Sequence, residues 1–191
     1  MEVERLREAI SAGLVLLGEN RVQEAESKAR QVPGASWHLI GPLQSNKVRR
    51  AVELFEAIQT VDSIELARRL SRLCGETGRV LPAYLQVNVD RDPGKAGFDP
   101  LELEAAVPEL VGLANLRLVG LMTVGRLVSS PEEARPTFGR LRELSGRLRL
   151  VVPQLGAGLS MGMSDDFEVA VEEGATVIRV GRAIFGERPR L

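Results

Sequence analysis

The chain is poor in the residue types that usually carry redox and metal chemistry. Its 191 residues include one cysteine, Cys74, and one histidine, His38. One cysteine excludes an internal disulfide and fits a reducing compartment such as the cytoplasm. One histidine, with no cysteine or histidine cluster beside it, argues against a histidine-based metal site. We therefore expect no metal, and we interpret Cys74, which lies in a helical pattern, as a packing residue.

Long apolar runs and a charge of one sign are also missing. The net charge is -1, hydrophobic residues make up 44% of the chain, and no run is long enough to span a bilayer. The charged N-terminal segment lacks the apolar core of a signal peptide. This composition indicates no nucleic-acid or membrane partner. We expect a soluble, cytoplasmic monomer, with residues 1–191 forming a single domain that has a substantial core.

Lysine is scarce as well, because the chain has 22 arginines and only three lysines. Any chemistry that needs a lysine must therefore use Lys28, Lys47 or Lys95. Lys28 falls on the polar face of a predicted helix, where we expect it to be solvated. Lys47 lies a little past a predicted strand end, and Lys95 lies in a loop flanked by glycines. For both we favour a structural role over contact with a ligand.

Apolar segments of strand type alternate with helical segments along the whole chain. The seven predicted strands cover residues 14–17, 37–41, 57–61, 83–89, 118–124, 151–155 and 176–180. Strict alternation predicts a parallel sheet covered by helices. A leading helix at 3–12 with no strand before it indicates a (β/α)8 TIM-type barrel whose first strand is missing. The alternative is a doubly wound sheet, but no GxGxxG motif supports it.

The segment 158–168 is the part of the chain that most resembles a ligand-binding turn. It carries Gly158, Ser160, Gly162 and Ser164, and small residues let a backbone approach an anion closely. Ser164 is a candidate N-cap for the helix predicted at 164–173. A second apolar strand runs into Gly181 nearby. Because barrels commonly hold phosphate at their last two strands, these two turns predict one phosphate site. The alternative is that both are ordinary turns.

Six motifs together resemble one family, the pyridoxal-phosphate-binding homeostasis proteins (the YggS/PROSC group). These motifs are GENRVQE at 18–24, WHLIGPLQSNK at 37–47, QVN at 86–88 with GKAGF at 94–98, GLMT at 120–123, LSMGMSDD at 159–166 and VGRAIFG at 180–186. The resemblance implies a barrel like the N-terminal domain of alanine racemase, with pyridoxal phosphate (PLP) at the strand ends. It also implies storage of PLP and delivery to apo forms of PLP-dependent enzymes, without catalytic turnover.

The same resemblance implies a set of cofactor-binding residues and no catalytic residue. The set is Asn20, Met122, Ser160, Gly162, Met163, Ser164, Arg179, Gly181 and Arg182. The two serines and the backbone of residues 162–163 and 181–182 would form a phosphate cup, and the two methionines would be pocket walls. Arg179 would face the pyridine nitrogen, which it cannot protonate, so the ring becomes a poor electron sink. A salt bridge in the barrel mouth is the alternative for Arg179.

Asn20 and His38 also have interpretations that do not involve catalysis. Asn20 would either contact the cofactor ring or cap the helix that follows it. His38 is interpreted as a packing or hydrogen-bonding residue rather than a catalytic base.

One departure from the family concerns the lysine that holds its cofactor covalently. Alignment places that lysine about two residues before Met1, so covalent attachment is doubtful in this chain. We expect the natural chain to extend upstream, and the alternative is a true variant without the lysine. Two other functions stay open: an amino-acid racemase on the same barrel, and a phosphate-binding barrel isomerase or aldolase without PLP. The single tyrosine, Tyr84, lies at the wrong end of a strand to act as the opposing base of a racemase.

Overall fold

The computed structural model describes residues 2–126 and 128–186 and contains one parallel sheet of seven strands. The strands are β1 (Leu16–Glu19), β2 (Ser36–Leu39), β3 (Ala57–Val61), β4 (Leu81–Gln86), β5 (Leu116–Met122), β6 (Gly158–Met163) and β7 (Val177–Arg179). The helices are α1 (Val3–Ser11), α2 (Val22–Ala29), α3 (Val48–Leu54), α4 (Ile64–Glu76), α5 (Pro100–Val111), α6 (Arg135–Val151), α7 (Phe167–Glu172) and α8 (Arg182–Phe185). Short 3-10 turns at Ser45–Lys47 and Pro131–Ala134 precede α3 and α6.

The strands lie side by side in chain order from β1 to β7, all parallel. Each helix returns the chain to the start of the next strand, which is the repeat of a (β/α)8 barrel. Within the described residues β1 pairs with β2 alone and β7 with β6 alone. The predicted fold class is confirmed: the sheet is a barrel of this type with one strand missing.

The sixth strand does not lie where it was predicted. Residues 151–155 do not form a strand: α6 ends at Val151, and residues 152–155 form the turn that follows it. The strand is instead Gly158–Met163, inside the segment interpreted as a ligand-binding turn. The residues facing it explain its small side chains. Tyr84, Gly120 and Gly158 share one level of the barrel, and a Cβ on Gly158 would lie 2.9 Å from Tyr84 Cε1.

Helix starts follow the local sequence at two places. Ser63 caps α4 by accepting a hydrogen bond from Leu66 N at 3.3 Å, as expected for a serine at an N-cap. Asp99 caps α5 by accepting from Leu101 N at 2.8 Å. Cys74, on the buried face of α4, is fully buried, which confirms its interpretation as a packing residue.

The missing strand leaves the barrel open between β1 and β7. Leu14, Val15 and Leu16 at this edge are 46%, 48% and 47% exposed, whereas most apolar strand residues are buried. Ile178 on β7 is also exposed, at 36%. These four residues therefore lack the cover that most apolar strand residues have.

Arg79 stabilises the end of α3 from a distant point in the chain. Its guanidinium donates to the carbonyls of Val52 and Phe55, which lack partners within their own helix. We expect Arg79→Ala to lower the free energy of unfolding by about 2 kcal/mol, because charged hydrogen bonds to carbonyls are lost. Urea denaturation would measure the change. Arg72→Ala on the exposed face of α4 is the control, and an equal loss in both variants would contradict the prediction.

Candidate functional site

A cavity of about 690 Å³ occupies the barrel interior next to the open edge. Residues of β1, β2 and β7 line it, together with residues of α1 and α8. Most of its wall is apolar, and the polar side chains at its surface include Glu19, Asn20, His38, Gln59 and Arg179. A concave apolar site with a few polar groups is the usual form of a small-molecule site.

Arg179 brings a cation to this cavity from the last strand. Its Nη1 donates to Ser160 Oγ at 2.8 Å, and its Nη2 donates to the Thr123 carbonyl at 2.7 Å. Burial lowers the pKa of the Arg179 guanidinium to about 10, and the charge of Asp166 opposes this shift. Arg179 stays protonated at neutral pH and can only donate hydrogen bonds. The alternative of a salt bridge is not observed among the described residues, where its partners are a hydroxyl and a carbonyl.

Two loops meet where the phosphate cup is predicted. Ser164 Oγ, after β6, accepts from Gly181 N and Ala183 N, each at 3.3 Å. The side chain of Arg182 pairs with Asp165 and ties the same two loops together. Met163 is half-buried and lines the cavity beside them. The structure thus brings Met163, Ser164, Gly181 and Arg182 to one place.

The helix that Ser164 was expected to cap begins later than predicted. α7 starts at Phe167, and its N-cap residue is Asp166. Asp166 Oδ1 accepts from Met163 N at 2.6 Å, which closes the turn without Ser164. The interpretation of Ser164 as the cap of its own helix is therefore wrong, since its hydroxyl faces the start of α8 instead.

Three of the proposed binding residues lie behind the cavity wall. Ser160 and Met122 are fully buried, pair in register and do not line the cavity. Gly162 is buried, and its φ of 88° lies in the region that favours glycine. The hydroxyl of Ser160 is already engaged by Arg179 and Gln59. Ser160, Met122 and Gly162 therefore pack behind the residues that line the cavity.

Asn20 lies at the cavity and does not cap a helix with its side chain. The N-cap of α2 is Arg21, and no side chain caps this helix. Asn20 is exposed and lines the cavity, which leaves its side chain available to a ligand. The alternative that Asn20 caps the following helix is wrong.

Lys28 is not solvated, contrary to the expectation for a polar helix face. Its Nζ lies 2.6 Å from Glu19 Oε2, and the two side chains are 12% and 8% exposed. Lys95 Nζ donates to the carbonyls of Val124 and Gly125, which joins two loops at the same end of the barrel. Lys47 ends a 3-10 turn before α3. Of the three lysines, Lys28 alone is among the residues that line the cavity.

Gln59 is a site residue that the sequence analysis missed. It is 1% exposed and bridges two groups: its Nε2 contacts His38 Nδ1 at 3.0 Å, and its Oε1 accepts from Ser160 Oγ at 2.6 Å. The available signal was a glutamine in the middle of β3, where all five residues are buried. A buried polar side chain needs hydrogen-bond partners, and here they lie on strands far away in sequence.

His38 should make stability depend on pH. Burial lowers the pKa of His38 below its usual 6.5, and the charge of Glu56 opposes this shift. The unfolded chain then binds the proton first, so stability is complete above pH 6.5 and is lost as pH falls toward the folded pKa. We expect a slope of up to about 1.4 kcal/mol per pH unit there. Urea denaturation between pH 7.5 and 5.5 measures it, and the same slope in His38→Asn would contradict this assignment.

No metal site or membrane span is found in the part of the chain that the structure describes. No three His, Cys, Asp or Glu side chains in residues 2–126 and 128–186 are placed to hold a metal ion. No helix in these ranges combines the length and hydropathy that crossing a membrane requires.

The fold is that of an alanine-racemase-type barrel domain. The family described as "Alanine racemase, N-terminal domain" matches residues 2–189. Within that class, the chain belongs to the family of the pyridoxal phosphate homeostasis proteins. The protein of that name from Pseudomonas aeruginosa is 42% identical over 185 residues, which are 96% of this chain and 79% of that protein. The one from Aquifex aeolicus is 38% identical over 187 residues, 97% of this chain and 82% of that protein.

A solved structure shows the same barrel with a cofactor. PipY of Synechococcus elongatus PCC7942, solved with PLP bound, is 45% identical and superposes with a TM-score of 0.91, covering 96% of this chain and 87% of PipY. Alanine racemase of Clostridium difficile 630 superposes with a TM-score of 0.83 at 14% identity over 98% of this chain and 49% of the racemase, which shows the shared fold.

Proposed function

We propose that this protein binds pyridoxal 5'-phosphate in the cavity at the open edge of the barrel. We further propose that it acts in intracellular PLP homeostasis, storing the cofactor and delivering it to apo-enzymes without turnover. The observation that carries the proposal is the position of Arg179, a half-buried cation at the cavity of a family whose member PipY was solved with PLP bound.

The described residues fit the cofactor by size and by donor type. The cavity of about 690 Å³ is within the usual range for small-molecule sites. Ser164, Gly181, Arg182 and Met163 would surround the phosphate where the loops after β6 and β7 meet. The Ser164 hydroxyl proton would be a donor there, since the Ser164 oxygen already accepts from Gly181 N and Ala183 N. Arg179 would donate to the pyridine nitrogen, and Asn20 would contact a ring substituent. Ser160, Met122 and Gly162 would support these groups from behind.

The cofactor supplies a reactive aldehyde and an electron-withdrawing ring when it is bound. The chain supplies the charge that controls that ring. Since Arg179 keeps its proton at neutral pH and offers only donors, the ring nitrogen beside it would remain unprotonated. An unprotonated ring stabilises a carbanion poorly, which favours a carrier over an enzyme that uses PLP.

The racemase alternative has less support from the described residues. A racemase needs a second base facing the first, and the single tyrosine is 8% exposed inside the barrel. Burial raises the pKa of Tyr84 above its usual value, so less of the phenolate, the form that acts as a base, is present at neutral pH. Tyr84 packs against Gly158 and does not line the cavity. The isomerase or aldolase alternative needs a free carboxylate base, and among the described residues the carboxylate that lines the cavity, Glu19, is ion-paired with Lys28.

The cellular setting of the proposal rests on simpler observations. Its recipients would be apo forms of PLP-dependent enzymes, and the protein would act as a monomer in the cytoplasm. The single cysteine is free and buried, as suits a reducing compartment.

Titration with PLP, followed by absorbance and by fluorescence of the cofactor, tests the binding. We expect saturable binding of one PLP per chain, at least about tenfold tighter than binding of pyridoxal, which lacks the phosphate. Arg179→Met should weaken PLP binding by about tenfold or more, because a charged donor is lost. Arg149→Met on the exposed surface is the matched control. Equal affinity for PLP and pyridoxal would contradict the phosphate site.

Borohydride reduction followed by peptide mass mapping tests how the cofactor is held. We expect no reduced adduct on Lys28, Lys47 or Lys95, since Lys28 is ion-paired and Lys95 is bound to two carbonyls. A stoichiometric adduct on any of the three would contradict the proposed site. An assay for alanine racemization at micromolar protein should show no turnover, and activity above the free-PLP background would overturn the carrier role.

A further inference from the structure

We infer that Gln59 is a positioning residue: it fixes the tautomer of His38 and the orientation of Arg179, so that both present hydrogen-bond donors to the cavity. The inference concerns a hydrogen-bonded series across four strands, from Arg179 through Ser160 and Gln59 to His38. Its consequence for the ligand rests on the proposed PLP function, but the series itself does not.

The direction of each hydrogen bond follows from the Arg179 end. Arginine has no acceptor, so Arg179 Nη1 donates to Ser160 Oγ at 2.8 Å. Ser160 is fully buried, and among the described residues Gln59 is the one hydrogen-bond acceptor for its hydroxyl proton, at 2.6 Å. The atom of Gln59 facing Ser160 must therefore be its oxygen, which leaves the amide nitrogen facing His38.

The far end of the series fixes the state of the imidazole. Gln59 Nε2 lies 3.0 Å from His38 Nδ1, and an amide nitrogen can only donate. His38 Nδ1 must therefore be the acceptor, and the ring proton must sit on Nε2. A proton on Nδ1 would place two donors face to face. The buried amide of Gln59 thus forces a neutral, Nε2-protonated histidine.

Both ends of the series reach the cavity. His38, Gln59 and Arg179 line it, and Ser160 lies behind them at 0% exposure. Among the described residues His38 Nε2 has no hydrogen-bond partner. The one buried side-chain atom without a partner in these residues is Arg69 Nε, so His38 Nε2 is not buried. The two ends of the series, the Nε2–H of His38 and the guanidinium of Arg179, are therefore hydrogen-bond donors on residues that line the cavity.

These donors select a ligand by its acceptor atoms. A molecule seated between them meets N–H groups at both ends, so it must offer lone pairs at both ends. A heteroaromatic ring with an unprotonated nitrogen and an anionic oxygen meets this requirement. An analogue whose ring nitrogen is alkylated cannot accept a hydrogen bond and should bind less well. The loss depends on Arg179, which donates the bond, and on Gln59, which holds the series in place.

NMR of the single histidine tests the series directly, without any cofactor. Two-bond ¹H–¹⁵N correlation spectra distinguish protonated from unprotonated ring nitrogens, and the signals belong to His38 alone because the chain has one histidine. We expect Nε2 protonated and Nδ1 unprotonated in the unmodified protein at pH 7.5. An Nδ1-protonated ring in that spectrum would overturn the inference.

Two variants separate a positioning role from a merely structural one. Gln59→Glu replaces the donating amide by an acceptor, so we expect His38 Nδ1 to become protonated. Gln59→Leu removes both contacts, so we expect signals averaged between tautomers. Ser160→Ala tests the Arg179 side of the series. The Gln59 amide loses the partner that fixes its orientation, so we expect His38 signals partly averaged between tautomers. Unchanged His38 signals in Gln59→Glu, with the fold intact by circular dichroism, would overturn the inference.

The ligand consequence is measured in the same variants with PLP. We expect Gln59→Glu to weaken PLP binding by about tenfold, because one donor is reversed and Arg179 gains a competing carboxylate nearby. If the unmodified protein does not bind PLP while its His38 signals are as expected, the proposed function fails and the positioning role of Gln59 stands. If PLP binds and Gln59→Glu binds it equally well, the ligand consequence is overturned and the proposed function stands.

Discussion

Gly162→Ala is expected to lower the free energy of unfolding by about 3 kcal/mol and to weaken PLP binding. Gly162 has a φ of 88°, and an alanine Cβ there would lie 2.5 Å from Ala170 Cβ and 3.2 Å from Phe167 Cα. Both neighbours belong to α7, so the helix must move away from the sheet. That movement displaces the loop of Met163 and Ser164, where the phosphate would bind. Urea denaturation and PLP titration measure the two effects.

Gly34→Ala is the matched control for this prediction. Gly34 has a φ of 87°, and a Cβ added to it would meet nothing within 4 Å. It therefore isolates the backbone strain, for which we expect about 1 kcal/mol and no change in PLP binding. Equal destabilisation in the two variants would show that contact with α7 contributes nothing at Gly162.

Lys28→Met is expected to cost about 3 kcal/mol of stability, because it leaves the Glu19 carboxylate buried without its partner. Glu19 and Lys28 are 2.6 Å apart, and both side chains are nearly buried between β1 and α2. Glu19→Gln should cost a similar amount for the same reason. The double variant should cost less than the sum of the two, with a coupling of about 1–3 kcal/mol. Denaturation of the four proteins completes the cycle.

An exposed ion pair provides the comparison. Arg49 and Glu76 are 2.6 Å apart, but their side chains are 59% and 45% exposed. We expect Arg49→Met to cost less than about 1 kcal/mol, because water screens the pair. Additive effects at Glu19 and Lys28 would contradict the assignment of a coupled buried pair.

Periodicity and alternation were enough to predict the barrel. Six of the seven strands fall within a few residues of their predicted positions, and β3 matches at both ends. Helix starts at Ser63 and Asp99 depend on neighbouring residues only, so local sequence is enough to place them. The strand at 151–155 was wrong because a short apolar run is ambiguous by itself, and here it spans the last residue of α6 and the turn after it.

The site shows the limit of local reasoning more sharply. The meeting of Ser164 with Gly181 was expected from the fold, since the last two strand ends are neighbours in such a barrel. The partners of Lys28 and Gln59 were not, because they depend on which strand faces which helix and on register between strands. Gln59 bonds Ser160 across 101 positions of sequence.

The sequence by itself determined the class of fold and the family, because these follow from periodic patterns and contiguous motifs. The phosphate site that it predicts stays a prediction. The tertiary structure alone decided which polar groups are buried together. In the folded chain Lys28 forms a nearly buried ion pair with Glu19. The glycine-rich segment is a strand, and Gly158 in it leaves room for Tyr84. The tertiary structure also joined Arg179 to His38 through Gln59. Burial and hydrogen-bond direction are properties of the packed chain, and residues distant in sequence acquire them only when the barrel forms.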